Sequence, residues 1–258
     1  MSKHLKNFNV ISPTAISHQA SGITFRYIPA PRGYQYRLIE KNKHGGWEVG
    51  FVRALWMMEA PMTVGQVNAL DGRGWLQDRK KETKTDTKTA RTYFVQWKNE
   101  PTKQEAQLPE TVVSYEEIKR WLISKLQDKV HAWLRLPTEF EWEWAALGGE
   151  DFQYAGCSNI DKVAWYEQNK PSETGLCDFE KGKAVPVKRL KPNGYGLYDM
   201  SGNVLELTSS FVWRKPEVVI RGGSWFLPAD QARVACRNFH SESDMIHSGL
   251  GFRLCFFA

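Results

Sequence analysis

Hydrophobic and polar positions change rhythm several times along this chain, and each change predicts a different kind of element. Between residues 22 and 60, GITFRYIPA and the alternating GWEVGFVRALWMME carry β-branched and aromatic residues with Gly and Pro as punctuation, which predicts strands. Thr63 followed by Val64, Val67 and Leu70 on one face predicts a short helix with Thr63 as its N-cap. From Asp78 to Gln107 the sequence turns polar and repetitive (DRKKETKTDTKTAR, then WKNEPTKQEAQ), the pattern of a solvated loop insertion. Two clearer helices follow. Ser114-Tyr-Glu-Glu117 is a capping box ahead of Ile118, Trp121, Leu122 and Leu126 at helical spacing. Thr138-Glu-Phe-Glu141 repeats the box ahead of Trp142, Ala145 and Ala146, with Gly148 as a stop. After Gly149 no helical period remains. VAWY, AVPV, GLYDM, NVLELTSSF, VVIRGGSW, ARVACRN and GFRLCFF read as short strands and turns. The class expected is α+β, with two main helices, short strands and many irregular loops.

Composition narrows this picture without overturning it. A chain of 258 residues suits one domain, 1–258, with residues 1–21 as an N-terminal extension and 78–107 as the polar insertion. Hydrophobic residues at 41%, including 11 Trp and 13 Phe, give ample material for a core and exclude global disorder. The net charge of +6 is modest, and much of it falls in the polar insertion. That run lacks aromatics at its basic end and contains Glu82 and Asp86, so a solvated face is expected there rather than a nucleic-acid arm. The start, MSKHLKNFNVISPT, has no apolar signal core, and no run approaches the ~20 apolar residues of a membrane span. A cytoplasmic location is expected. Cys157, Cys177, Cys236 and Cys255 form no CxxC pair and no metal-ligand spacing, so free thiols are expected.

The stretch from Pro192 to Phe257 carries the most specific signal: PNGYGLYDMSGNVLELTSS, then VVIRGGSWFLPADQARVACRN, then SGLGFRLCFF. Three glycine-bearing turns in this order resemble the formylglycine-generating enzyme (sulfatase-modifying factor) family, whose fold is a variant of the C-type lectin fold. Arg135 to Gly149 (RLPTEFEWEWAALGG) supplies a second hallmark, and Tyr27-Ile28-Pro29-Ala30 is similar to the end of the family's opening strand. The resemblance therefore implies a C-type lectin-like fold of the formylglycine-generating-enzyme subtype. That fold houses both oxidative enzymes and ligand-display proteins, so function has to be argued from the site.

Family members that oxidise a substrate cysteine hold copper through two thiolates in the segment after RGGS, soft ligands suited to Cu(I). Here that segment is WFLPADQARVAC, with no cysteine before Cys236 and the next at Cys255, which argues against formylglycine generation. A related nonhaem-iron branch needs a histidine set. The six histidines here show no HxxxH spacing, and no GxSxG, P-loop or GxGxxG motif offers other chemistry. The resemblance also implies a calcium site in the turn YDMSGNVLE, from Asp199, Glu206 and the carbonyls of Gly202 and Val204. The family's WEW is Leu205-Glu206-Leu207 here, and the alternative is that Asn203 and Glu206 hold the turn while Glu206 pairs with Arg253.

What remains is ligand display from 221–258. Between RGGSW and GFRL the chain mixes apolar and small polar residues, the makeup of an adaptable binding surface. Phe226, Leu227, Asp230, Phe239, His240, Glu242, Asp244, Met245 and His247 are the expected contacts. The layout resembles the variable proteins of diversity-generating retroelements, whose hypervariable positions sit at the C-terminus inside a fixed framework. The expected role is non-catalytic binding of a protein or other macromolecular ligand. The alternative is a metal-dependent oxidase of the formylglycine-generating type.

Overall fold

The alternating segments pair into two main sheets, which the computed structural model describes over residues 7–38, 48–71, 101–111, 114–121, 133–169, 184–212, 217–241 and 249–258. The first sheet runs β1 (Phe8–Ser12), β2 (Ala15–His18), β3 (Thr24–Ile28), β6 (Leu55–Met58), β13 (Cys255–Phe257), all antiparallel. Between β3 and β6 lies a two-stranded ribbon, β4 (Gln35–Arg37) and β5 (Val49–Phe51). A parallel pair, β7 (Ala164–Trp165) and β8 (Ser201–Gly202), precedes the second main sheet. That sheet is ordered β11 (Arg237–Ser241), β10 (Glu217–Arg221), β9 (Leu205–Phe211), β12 (Leu250–Gly251), with β12 parallel to β9.

Alternation assigns each face of the first sheet to a different core. Phe25, Met58 and Phe256 bury against Leu205, Leu207, Val218 and Ile220 of the second sheet, and Val67, Leu70 and Ile118 close the same cluster. Ile28, Leu55, Met57 and Cys255 lie on the opposite face and meet Trp142, Ala145 and Ala146. Each such large side chain taken out of water contributes about 1.5–3 kcal/mol, so both faces are committed to the interior.

Three helices supply the caps read from the sequence. In α1 (Val64–Asp71), the Gln66 N–H donates to Thr63 Oγ1 at 3.3 Å and the Thr63 N–H to Gln66 Oε1 at 3.1 Å. In α2 (Tyr115–Trp121), Ser114 and Glu117 exchange the same bonds at 3.1 and 2.7 Å. In α3 (Glu139–Leu147), Thr138 and Glu141 do so at 3.2 and 2.8 Å, and Gly148 ends the helix at φ +65°. No described helix is long and apolar enough to cross a membrane.

The N-terminal stretch 1–21 is more than an extension where it is described. Residues 8–18 form a hairpin that widens the first sheet, because Phe8 packs edge-on to Phe25 (5.8 Å) and against Phe256 (5.9 Å). Val10 and Ile11 stand side by side, both exposed, so this stretch gave no clean alternating signal in the sequence. Of the polar insertion 78–107, only 101–107 is described. It ends in a 3-10 turn (Glu105–Gln107) against Gly65 of α1. The side chains of Trp121, Leu122 and Leu126 lie outside the described residues.

Thr138→Ala removes the side-chain acceptor at the start of α3. We expect a loss of about 1 kcal/mol, read as a lower urea midpoint with unchanged slope. An unchanged midpoint would show the cap to be idle.

Candidate functional site

The site grows from buried charges, because short strands and loops leave much backbone to be tied down by side chains. Arg253, 0% exposed, follows β12. Its Nε and Nη2 donate to the two oxygens of Glu206 at 2.7 and 2.6 Å, and its remaining N–H groups reach the carbonyls of Met58 (3.0 Å) and Tyr198 (2.8 Å). Trp142 Nε1 adds a third donor to Glu206 Oε2 at 2.8 Å. One carboxylate thus joins both sheets and α3. The expectation of an Arg253–Glu206 pair holds, and with both oxygens taken, Glu206 does not fit the calcium ligand implied by the resemblance.

The rest of that turn is equally occupied. Asn203, at φ +62°, accepts from the Val185 N–H (3.0 Å) and donates to the Val185 carbonyl (3.2 Å). Asp199 accepts from the Lys188 N–H at 2.8 Å, and burial pushes its carboxyl up to about 6. Gly202 lies against the backbone of Trp165, where a Cβ would sit 2.2 Å from the carbonyl oxygen.

A second buried cation anchors the segment that follows β10. Arg221 ends β10 and is fully buried. It pairs with Glu143 of α3, and its N–H groups reach the carbonyls of Val234 (3.2 Å), Ala235 (3.3 Å) and Cys236 (3.0 Å). Tyr36 donates its hydroxyl to the other Glu143 oxygen at 2.9 Å, and burial raises its pKa well above the usual phenol value. After Arg221 the chain turns through Gly222 (φ +94°) and Gly223 (φ +72°), and a Cβ on Gly223 would sit 2.7 Å from the Gln231 carbonyl. Sequence reasoning passed over Glu139 and Glu143. Two carboxylates four residues apart, flanking the buried Trp142, were the available signal.

The expected contacts separate into three groups. Phe226 and Leu227 are half-buried. Phe226 stacks edge-on to Trp225 (5.1 Å) and lies against Gly249, while Leu227 packs on the main core. Those two brace the ends of the segment. Asp230 is exposed, and Phe239 is 48% exposed on β11, an outer strand of its sheet. Arg237 supports Phe239 from below at 5.6 Å and is itself fixed by Glu139 (2.7 Å) and Glu48 (3.1 Å). His240 lies on β11 opposite Val218, and Glu242, Asp244, Met245 and His247 lie outside the described residues. Beside this segment, Ser224 Oγ and the indole N–H groups of Trp165 and Trp225 are buried without acceptors among the described residues.

Among the described residues the cysteines do not fit a copper centre, and Cys177 lies outside them. Cys236 Sγ contacts Gln231 Oε1 (3.5 Å) and Asn238 (3.8 Å). Cys255 pairs with Met57 inside the first sheet, and burial pushes its thiol up to about 12, so it stays protonated. Cys157 is free and half-buried.

Sheets, helices and tied loops of this kind define a C-type lectin-like fold of the formylglycine-generating subtype. The chain matches the sulfatase-modifying factor enzyme 1-like domain over residues 34–256, and it belongs to that family. Among curated relatives, the chaperone protein LppX of Paenibacillus barcinonensis is 35% identical over 39% of this chain and 41% of its own. The inactive C-alpha-formylglycine-generating enzyme 2 of Mus musculus is 37% identical over 46% of this chain and 42% of its own. The chain thus spans less than half the length of these relatives. The solved structure of Treponema denticola variable protein 1 superposes with a TM-score of 0.71 at 22% identity, covering 96% of this chain and 100% of that one, which establishes shared fold.

Two outcomes follow from the buried charges. Arg253→Met strands the Glu206 carboxylate and should cost about 3–5 kcal/mol, part of which the double variant with Glu206→Leu recovers. No recovery in the double variant would mean the pair is not the cause. The raised Asp199 pKa means the fold favours its protonated form. This stabilisation is full below the unfolded value near 3.8 and is lost as pH rises through about 6, up to about 3 kcal/mol. Asp199→Asn should therefore flatten the Tm-against-pH curve between pH 4 and 7, and an unchanged curve would refute the assignment.

Proposed function

We propose that this domain is a non-catalytic binding protein that presents β11 and its flanking loops to a protein or other macromolecular ligand. It would work as the variable protein of a diversity-generating retroelement does, with exchangeable side chains on a fixed frame. The observation that carries this reading is Phe239, 48% exposed on an outer strand and held from beneath by the Arg237 network. A large aromatic ring on a fixed strand gives contact area with little ordering cost on binding. Asp230, exposed at the near end of the same segment, adds an acceptor at the rim.

Other features support the reading. In residues 225–236, which follow Ser224, the only cysteine is Cys236 and the next is Cys255, so the oxidase's ligand pair is missing from its place in the sequence. A relative carries the description inactive formylglycine-generating enzyme, and a protein of the same fold is named a variable protein. The buried donors of Ser224, Trp165 and Trp225 offer hydrogen bonds to oxygen atoms of a ligand that reaches past Phe226. His240, Glu242, Asp244, Met245 and His247 are included in the proposed contact set by their sequence positions alone.

A photoreactive phenylalanine analogue at position 239 tests this by capturing the ligand from the native host. Phe239→Ala should then weaken binding of the captured partner about tenfold or more, with Tm unchanged. Capture from position 239 failing, while purified protein holds stoichiometric copper and turns over a cysteine-containing peptide, would replace this reading with the oxidase.

A further inference from the structure

A second surface lies away from the display segment, on the outer face of the β4–β5 ribbon and the end of the first sheet. Gly50 faces α3, because a Cβ there would lie 2.5 Å from the Phe140 ring, and Tyr36 opposite it bonds Glu143. Alternation therefore turns Val49 and Phe51 outward, 58% and 74% exposed, and Arg53 continues the same side. The Arg53 guanidinium lies 5.8 Å from the ring of Phe257, itself 51% exposed, and Arg135 covers that ring at 4.4 Å. Arg135 forms an isolated antiparallel bridge with Cys255, two residues before Phe257, and Trp133, two residues before Arg135, is 77% exposed. Apolar and cationic groups thus alternate from Val49 to Trp133.

The charges along this stripe decide what it fits. Arg135 is matched by Glu141 at 2.7 Å in both its bonds, but Arg53 has no carboxylate partner among the described residues. A second copy of the chain would set Arg53 and Arg135 against their own kind. A single strand of nucleic acid is held along a track of several cations, and Arg53 is the one cation of this stripe without a carboxylate among the described residues. We propose that this stripe docks an acidic polypeptide segment carrying apolar side chains, with a carboxylate on Arg53 and apolar groups on Phe51 and Trp133. This goes beyond the display reading and uses none of its residues.

The probe is a fluorescein-labelled random copolymer of Glu and Tyr, followed by fluorescence polarisation with the full chain. Saturable binding is expected, weaker for polyglutamate. Phe51→Ser and Arg53→Glu, both at exposed positions, should each reduce affinity about tenfold at unchanged Tm. Phe239→Ala should leave this binding intact, so failure here and failure of the display reading are separable. The proposal is overturned by the absence of saturable binding, by full binding in both stripe variants, or by tighter binding to oligo-dT or phosphatidylserine vesicles.

Discussion

Glu206 is the point on which this architecture turns. A carboxylate with no exposure to solvent is costly unless every lone pair is met, and here Arg253 and Trp142 supply three donors. Those donors come from the end of the chain and from α3, while Glu206 itself sits in β9, beside the GN turn. The ion pair fixes where irregular loops lie relative to the sheets, a task that backbone ladders cannot perform in a fold with so many two- and three-residue strands. Arg221 with Glu143 repeats the device 15 residues further on, and its free N–H groups hold the carbonyls from Val234 to Cys236. Two buried guanidinium groups therefore set the floor under the display strand.

This arrangement explains why the outward surface can be unlike the family's enzymes while the frame is not. Gly222 answers to its φ of +94° and Gly223 to backbone clashes with Gln231 and Ala232, and Phe226 fills the space against Gly249. None of these contacts involves the exposed faces of Asp230 or Phe239. In the proposed reading, binding and folding therefore fall to different side chains, which is the physical condition for a surface that changes without unfolding its support.

Much of the frame was legible in the sequence. Capping boxes at Thr138 and Ser114 placed helix starts, because their side-chain bonds are local, and an Arg253–Glu206 pair stood in the sequence only as the alternative to a calcium turn. Other features depended on distant contacts that no local pattern records. The hairpin at 8–18 exists because Phe8 meets Phe25 and Phe256. Phe226 and Leu227 read as surface contacts by composition, yet tertiary packing draws them half inside. The stripe from Val49 to Trp133 was invisible because it is assembled from three separate chain segments, joined by Arg53 and Arg135 over one ring.

The account stands or falls on the independence of frame and display surface. Native-state hydrogen exchange of β10 and β13 measures it directly, in a set of chains with Asp230 and Phe239 replaced by varied residues. Protection of both strands should stay at the level of the parent chain across the set, and should collapse when Glu206 is replaced by Gln. Protection that falls with the Asp230 and Phe239 replacements, or survives loss of the Glu206 carboxylate, would contradict the account.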